Sequence, residues 1–240
     1  MISLRSAAAR RDQVVRIRGS VGMPSSVIDA VDGRSLEPGQ LSAVYRRGLH
    51  APPFPFELSP AEIGTFLSHR EAWSRIAVGS LDAGLVLEDD IGLVDPHFRL
   101  AMDVAVDALR SHQIIRLSCR SPATTGSRRL RTPVLPPLGN TSQLVRRDAA
   151  IRLLELSERF DRPVDTFEQM TWLHGLRVAI VEPSGVREIS SSLGGTTIHR
   201  ARRGTLERIL RNPARSWYSF QARACATAHR LRCSMTKGRG

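Results

Sequence analysis

In Leu85-Val86-Leu87-Glu88-Asp89-Asp90, three consecutive acidic residues directly follow a continuous apolar run. A short apolar run bounded by turn residues is typical of a strand buried on both faces, and Gly79 and Gly84 precede this one. We therefore expect a central strand of a sheet at these residues. Neighbouring like charges repel one another, and their burial is costly unless a cation compensates it. The acids thus predict a cation site where the strand ends.

The position of the acids relative to the strand indicates which cation they would hold. Ligands of open α/β sheets bind beyond the carboxyl ends of the strands, and a hard divalent ion is commonly held by one or two carboxylates together with substrate phosphates. Because alternate residues of an extended chain face the same side, Glu88 and Asp90 are the predicted metal ligands, with Asp89 beside them. The alternative is a solvated acidic turn that caps the next segment.

The clearest helix signal begins at Ser59. Ser59 is a natural N-cap, Pro60 occupies the first helical position and Glu62 completes a capping box. Apolar residues then recur at helical spacing and form a core face, which comprises Ile63, Phe66, Leu67, Trp73, Ile76 and Ala77. The pattern predicts a helix over residues 59–77.

The rest of the first 190 or so residues alternates between short strands and helices. The predicted strands span residues 2–4, 27–31, 113–118, 143–145 and 176–181, and the predicted helices span residues 5–18, 98–109 and 148–160. Two proline-rich stretches, residues 34–58 and 120–139, predict surface loops. This alternation is typical of an α/β domain.

The net charge of +12 is concentrated at one end of the chain. Residues 200–240 contain eleven lysines and arginines and a single acid, Glu207. We therefore predict a domain over residues 1–199 and a basic, partly helical tail over residues 200–240. The tail would be attracted to an anionic membrane surface or to a phosphorylated lipid-linked acceptor, or would be a solvated extension without a role. Its predicted apolar contacts are Leu206, Ile209, Leu210, Trp217 and Phe220.

The cysteine spacing and the hydropathy pattern argue against several classes of protein. Cys119, Cys225 and Cys233 show no Cys-x-x-Cys spacing, which argues against a disulfide framework or a zinc knuckle. No apolar run reaches the length of a transmembrane helix, and the first residues lack the apolar stretch of a signal peptide. Both observations predict a cytoplasmic location.

Several motifs follow one another in a specific order. They are Ile2-Ser3-Leu4 with Arg11, Asp29-Ala30-Val31-Asp32-Gly33, Leu58-Ser59-Pro60-Ala61-Glu62-Ile63-Gly64 with Leu67-Ser68-His69 and Trp73, Leu85-Val86-Leu87-Glu88-Asp89-Asp90, Gly139-Asn140-Thr141 with Leu144-Val145, and Arg162-Pro163-Val164-Asp165. This order resembles glycosyltransferase family 25, which contains lipooligosaccharide galactosyltransferases and related collagen galactosyltransferases. The resemblance spans residues 1–190 approximately. Thr65 stands where the family usually has cysteine, and Gln143 where an aromatic residue is common.

The resemblance implies a GT-A-like (Rossmann-like) nucleotide-sugar transferase fold with a mixed central sheet. It also implies a UDP-sugar donor, most commonly UDP-galactose, a Mn²⁺ or Mg²⁺ cofactor, and inversion at the sugar carbon. The implied reaction transfers a hexose to a bacterial lipopolysaccharide, lipooligosaccharide or other cell-envelope glycan. Two alternatives stay open: a family member that binds sugar nucleotides without turnover, and a basic nucleic-acid-binding protein. The second is disfavoured because the positive charge is confined to the tail and the body contains no recognisable nucleic-acid module.

Donor binding is assigned to residues around the first strand and the signature helix. The candidates are Ser3, Leu4 and Arg5 for the base and ribose, Arg11 for the diphosphate, and Asp32, Glu62, Ser68 and Asp89 for the other contacts. Three of them have plainer alternatives. An arginine on a helix surface is commonly solvated, Asp32 precedes Gly33 in an ordinary turn sequence, and Glu62 completes a helix cap.

Catalysis is assigned to Asp165, Glu168 and His69. An inverting transfer needs a base near the acceptor hydroxyl, and Asp165 is the first choice for it, followed by Glu168. His69 is expected to lie towards the donor. The alternatives are that Asp165 caps a helix that begins at Thr166, and that His69 anchors the signature helix to the sheet. His199 is a further candidate metal ligand.

Overall fold

A mixed sheet of five strands forms the frame of the molecule in the computed structural model, which describes residues 1–5, 10–117, 127–193 and 205–237. The strands are β1 (Ile2–Ser3), β2 (Ile28–Asp29), β3 (Ala83–Leu87), β4 (Ile91–Leu93), β5 (Ile114–Leu117), β6 (Arg129–Arg131), β7 (Ser142–Arg146), β8 (Val178–Glu182) and β9 (Val186–Glu188). The helices are α1 (Arg11–Val21), α2 (Pro38–Val44), α3 (Pro60–Val78), α4 (His97–Ala108), α5 (Arg147–Leu156), α6 (Val164–Glu168), α7 (Thr171–His174) and α8 (Thr205–Lys237).

The strand order of this sheet is β3-β7-β5-β8-β6. Strands β5 and β8 pair in parallel, and the other neighbours pair antiparallel. Two smaller sheets accompany it, a parallel pair of β1 with β2 and an antiparallel pair of β4 with β9. The mixed α/β architecture confirms the predicted fold class.

Two hydrophobic layers cover the two faces of the sheet, because successive side chains of a strand point to opposite sides. On one face, α3 and α5 pack on the strand residues Val86, Ile114, Val145 and Val178. On the other face, α1 and α4 contribute Ile17 and Phe98 to a layer with Leu87, Ile115, Leu144 and Ala179. Helix α3 therefore borders the end of β3 from one side of the sheet.

Helix α3 is capped as predicted and lies unusually close to the segment after β2. Ser59 Oγ accepts from the Glu62 backbone N–H at 3.3 Å, and a Glu62 carboxylate oxygen accepts from the Ser59 N–H at 2.8 Å. A Cβ atom at Gly64 would clash with the backbone of Val31 and Gly33. Two glycines thus let the backbones approach, and this contact forms one wall of the cleft described below.

Four predicted elements differ from the structure. Strand β3 is an edge strand of the sheet, so the prediction of a central strand is wrong; a continuous apolar run reports burial on both faces and not strand order. The predicted loop 34–58 contains α2, which begins at Pro38 behind a Glu37–Gln40 capping box. The predicted loop 120–139 contains β6. Helix α1 ends at Val21 rather than at the predicted Arg18, and residues 6–9 of the predicted helix lie outside the described residues.

The C-terminal part of the described chain is one helix, α8, which contains Pro213. It spans residues 205–237 of the tail that the sequence predicts to be partly helical. The prediction that Trp217 and Phe220 make its apolar contacts is wrong, because they are 61% and 63% exposed. Tyr218, Ala222 and Ala226 are buried instead. None of the described helices is long and apolar enough to cross a membrane. Cys119, His199 and the predicted domain boundary at residues 199–200 lie outside the described residues.

Candidate active site

A cleft opens where β1, β2 and β3 end. Its lining comes from the ends of these strands, from the residue before α1 and from one face of α3: Ile2, Ser3, Leu4, Arg10, Ala30, Val31, Asp32, Gly33, Arg34, Ala61, Thr65, Ser68, His69, Glu88, Asp89 and Asp90. The carboxyl end of β3 borders the cleft. Open α/β sheets bind their ligands beyond the carboxyl ends of the strands. The structure thus brings the three acids and His69 into one site.

The backbone holds the first acid of the cluster from both sides. Glu88 forms an isolated parallel bridge with Ile2, and its N–H donates to the Thr141 carbonyl at 2.8 Å. The extended conformation ends there, because Asp89 and Asp90 form a turn. Strict alternation therefore does not extend to Asp90, and the turn rather than the strand keeps Glu88 and Asp90 near each other.

The side chains of Glu88 and Asp89 point to different partners. The Glu88 carboxylate lies 3.1 Å from His69 Nε2 of α3. Asp89 is 4% exposed, and its carboxylate accepts from Ser3 Oγ at 2.7 Å and from the Arg10 guanidinium. Because Asp89 already has a buried cationic partner and a hydroxyl donor, its role in this structure is to hold β1 and the start of α1 against the acid cluster.

Asp90 is the least satisfied of the three acids. Its Oδ1 atom is buried and has no hydrogen-bond partner among the described residues, and its Oδ2 atom lies 3.8 Å from Arg10 Nη1. Burial and, secondly, the negative charge of Glu88 raise the pKa of Asp90 to about 7. A buried carboxylate oxygen without a donor, next to a second carboxylate, is suited to bind a cation.

The arrangement also limits what kind of metal site is possible. The described residues contain no group of three or more histidine, cysteine, aspartate or glutamate side chains placed to hold a metal ion. Mg²⁺ and similar ions are commonly bound by one or two carboxylates together with substrate phosphates. Glu88 and Asp90 fit a site of this kind, in which two carboxylates and the phosphates of a substrate share the ion.

The donor-binding candidates divide into two groups. Ser3, Leu4, Asp32 and Ser68 line the cleft together with Asp89. Ser68 accepts from the Val31 N–H at 2.8 Å and donates to the Gly64 carbonyl at 2.7 Å, so it fixes the wall of the cleft. The Asp32 carboxylate accepts from the Arg34 side chain at 2.9 Å, and this bond lowers the pKa of Asp32.

Arg5, Arg11 and Glu62 do not line the cleft. The Arg5 side chain is 85% exposed and pairs with Asp29, and Arg11 is exposed on α1. The arginine that reaches the acids is Arg10, which is 5% exposed. Arg10 lies three and seven residues before the buried Gln13 and Ile17, a spacing that places all three on one helix face. That spacing is the sequence signal that favours Arg10 over Arg11.

His69 lines the cleft and also anchors helix α3. It is 1% exposed, its ring lies 6.3 Å from that of Trp73, and its Nε2 atom contacts Glu88 in the cleft. Its Nδ1 atom has no partner among the described residues. His69 therefore anchors α3 to the acid cluster, and it positions the Glu88 carboxylate.

Glu168 does not reach the cleft, because it is the counter-ion of a buried arginine. It is fully buried, and its carboxylate accepts from Arg116 at 2.8 Å, from Gln143 at 2.8 Å and from Asn140 at 3.3 Å. Both oxygens of this carboxylate therefore accept hydrogen bonds in the interior, away from the cleft. Its assignment as an alternative base is therefore not supported by its surroundings.

Asp165 also lies outside the lining of the cleft. Its carboxylate accepts from the Thr166 N–H at 2.7 Å and from the Gly139 N–H at 3.1 Å. Helix α6 begins at Val164, one residue before Asp165, so Asp165 lies in the first turn rather than at the predicted cap position. Its contact with Gly139 ties α6 to the segment that leads into β7.

Substitutions of Glu62 distinguish its role in the cap of α3 from its predicted role in donor binding. Glutamine at this position preserves a capping box, so we expect Glu62→Gln to leave stability and donor affinity unchanged. Glu62→Ala is expected to lower the free energy of unfolding by about 1 kcal/mol, as cap losses commonly do. Urea unfolding and donor titration measure the two quantities. A loss of donor affinity in Glu62→Gln at unchanged stability would return Glu62 to the donor site.

Parts of this chain are similar in sequence to known proteins. The family model described as Glycosyltransferase family 25 (LPS biosynthesis protein) matches residues 1–132. Human procollagen galactosyltransferase 2 is 34% identical over 94 residues, which are 38% of this chain and 15% of the relative. A glycosyltransferase 25 family member of Anopheles gambiae is 35% identical over 114 residues (46% and 19%). The inactive glycosyltransferase 25 family member 3 of Mus musculus is 30% identical over 106 residues (43% and 18%).

The mixed sheet and the carboxylate-lined cleft at its strand ends define a Rossmann-like glycosyltransferase domain. Because the family model matches more than half of the residues, the chain belongs to glycosyltransferase family 25. The matched segments cover less than a fifth of the length of each of these three relatives.

Proposed function

We propose that the protein transfers a hexose from a nucleotide diphosphate sugar to a hydroxyl group of a glycan acceptor. The observation that carries the proposal is the acid cluster of Glu88, Asp89 and Asp90, which borders the cleft with a carboxylate oxygen on Asp90 that has no partner among the described residues. UDP-galactose is the proposed donor, and this choice is supported by relatives whose names describe galactosyltransferases.

The residues of the cleft suggest a division of labour. Ser3, Leu4 and Asp32 form the wall against which the base and ribose of the donor would lie. Arg10 holds Asp89 and brings a positive charge next to Asp90, where it offsets part of the charge of the acids. Glu88 and Asp90 would hold Mn²⁺ or Mg²⁺, which when bound neutralises the negative charge of the leaving diphosphate.

Inversion at the sugar carbon needs a base for the acceptor hydroxyl. Asp165 stays the proposed base, although its carboxylate also accepts two backbone N–H groups in this structure.

The acceptor that we propose is a lipopolysaccharide-type or other lipid-linked glycan of a bacterial cell envelope. The description of the family as LPS biosynthesis proteins supports this choice, whereas the relatives named above are animal proteins. The acceptor class implies that the protein works in the cytoplasm at the inner face of the plasma membrane. Mass spectrometry of envelope glycans from cells with and without the gene would identify the acceptor.

A second candidate function is sugar-nucleotide binding without turnover. It is favoured by the relative that is named an inactive family member, which is 30% identical to this chain over 106 residues. It would keep the donor wall of the cleft and lack productive chemistry at the acids.

A donor assay separates the two functions. We expect turnover of UDP-galactose in the presence of Mn²⁺, slower turnover of UDP-glucose and UDP-N-acetylglucosamine, and none after addition of EDTA. Calorimetry with the same donors measures binding independently of turnover. Binding without turnover would favour the second function, and the absence of both binding and turnover would contradict the proposed donor site.

A further inference from the structure

Helix α8 carries two apolar faces, of which only one is covered by the described part of the chain. The inner face packs on the body through Tyr218, Ala222 and Ala226, which are 6%, 1% and 1% exposed. The other face is exposed and carries large apolar residues: Trp217, Phe220, Leu231 and Met235, all at least 60% exposed. A helix that only stabilised the fold would need the inner face alone.

The exposed apolar residues form one continuous stripe. Together with the exposed alanines they occupy positions 217, 220, 224, 228, 231 and 235, in steps of three and four residues. That spacing keeps side chains on one side of a helix, and at 1.5 Å per residue the stripe is about 27 Å long. Trp217 and Phe220 stack at its start, with ring centroids 5.7 Å apart. A patch of this kind on a surface commonly marks a binding face.

The charges beside the stripe indicate what it binds. Residues 205–237 contain seven lysines and arginines and one acid, Glu207. Arg223 and Arg232 are exposed at the borders of the stripe, whereas Arg215 lies over the Phe56 ring and Arg230 donates to the Thr132 carbonyl. Pairing of the stripe with a second copy of the same helix would bring the bordering arginines of the two helices close together, which like-charge repulsion opposes. The occupant is therefore expected to be both apolar and anionic.

A bilayer with anionic headgroups has both properties. Tryptophan and phenylalanine suit the boundary between headgroups and acyl chains, and arginines at the border of an apolar face reach the phosphates of the headgroups. A nucleic acid would satisfy the arginines but offers no apolar layer for Leu231 and Met235. The chemistry of the face thus favours a lipid surface over the other candidates.

We infer that α8 lies flat on an anionic lipid bilayer, with Trp217, Phe220, Leu231 and Met235 inserted at the headgroup level and its inner face attached to the catalytic domain. This inference does not depend on the proposed reaction, because it rests on the exposed side chains of α8 alone. It explains the exposed apolar stripe of α8, which the contacts of the helix with the domain do not explain.

Vesicle sedimentation of the full chain tests the inference. We expect the protein to bind vesicles of phosphatidylglycerol and phosphatidylcholine, to bind vesicles of phosphatidylcholine alone far more weakly, and to lose affinity as salt is added. Trp217→Ala/Phe220→Ala is expected to lower the partition coefficient at least about tenfold. Arg223→Gln is expected to weaken binding to the anionic vesicles only.

The matched control is Val78→Ala/Leu81→Ala, which removes two apolar side chains that are 84% and 74% exposed away from α8 and is expected to leave vesicle binding unchanged. Circular dichroism checks that each variant is folded. Equal binding by Trp217→Ala/Phe220→Ala and the original protein would overturn the inference, as would equal binding to neutral and anionic vesicles. The inference would also be overturned if the protein formed a dimer without lipid and Trp217→Ala/Phe220→Ala dissociated it. In that case the exposed stripe would bind a second copy of the chain.

Discussion

Replacement of Asp90 by asparagine is expected to lower the rate of metal-dependent sugar transfer by about a hundredfold to a thousandfold. Asp90 contributes a buried carboxylate oxygen that has no partner among the described residues, and it borders the cleft beside Glu88. An amide of the same shape keeps the packing but removes the charge that would bind the cation. Initial rates with UDP-galactose and saturating Mn²⁺ measure the effect.

Stability provides a second and opposite readout for the same variant. The pKa of Asp90 is raised from 3.8 to about 7, so the folded protein binds a proton that the unfolded chain has released between these two pH values. Stability from this group is therefore lost as the pH rises through 7. Above pH 7 and without metal, we expect Asp90→Asn to have a higher melting temperature than the original protein, because the neutral amide removes the cost of burying a charge and, secondly, the repulsion from Glu88.

The matched control for this prediction is Asp82→Asn. The Asp82 side chain is fully exposed and pairs with Arg147, so its loss is expected to change neither the rate nor the melting temperature appreciably. An Asp90→Asn protein that retains the full rate would remove Asp90 from the metal site and would leave Glu88 as the predicted ligand among the described residues.

Replacement of Glu168 by glutamine is expected to lower the free energy of unfolding by about 3–5 kcal/mol. The side chains of Glu168 and Arg116 are 0% and 3% exposed, and they form an ion pair at 2.8 Å. The substitution leaves the Arg116 cation buried without its counter-ion. The same cluster includes His174, whose pKa burial lowers to about 4, so His174 is neutral and cannot replace the missing charge. Urea unfolding followed by circular dichroism measures the loss.

Two comparisons sharpen the result for Glu168. Glu71→Gln breaks an ion pair with Arg75 in which both side chains are 47% exposed, and we expect it to cost less than about 1 kcal/mol. Arg116→Met/Glu168→Met removes both charges and is expected to be more stable than Glu168→Gln. If the folded fraction of Glu168→Gln lost activity about a hundredfold or more, the size expected for a general base, Glu168 would be catalytic after all.

Several features of the fold follow from neighbouring residues and could be predicted from the sequence. The cap of α3 depends on Ser59, Pro60 and Glu62, which lie within four positions of one another. The apolar run before Glu88 predicts a strand followed by an acid cluster, and the structure places β3 and the acids there. Local backbone geometry and side-chain periodicity decide such features, so a few consecutive residues suffice to predict them.

Other features depend on which distant segments pack together. Arg10 rather than Arg11 meets the acids, because a residue 79 positions away accepts its hydrogen bond. Glu168 of α6 pairs with Arg116 of β5, which lies 52 positions earlier, and does not line the cleft. The edge position of β3 is likewise set by its pairing with β7.

The acid cluster shows how the two levels combine. The sequence by itself determined that three carboxylates follow an apolar strand, since this requires only the order of residues 85–90. Only the tertiary structure decided their separate tasks: Asp89 is neutralised by Arg10, Glu88 contacts His69 and Asp90 keeps an unpartnered oxygen within the described part of the chain. The physical reason is that the charge and solvation of a carboxylate depend on the groups that surround it in space, and these come from β1, α1 and α3.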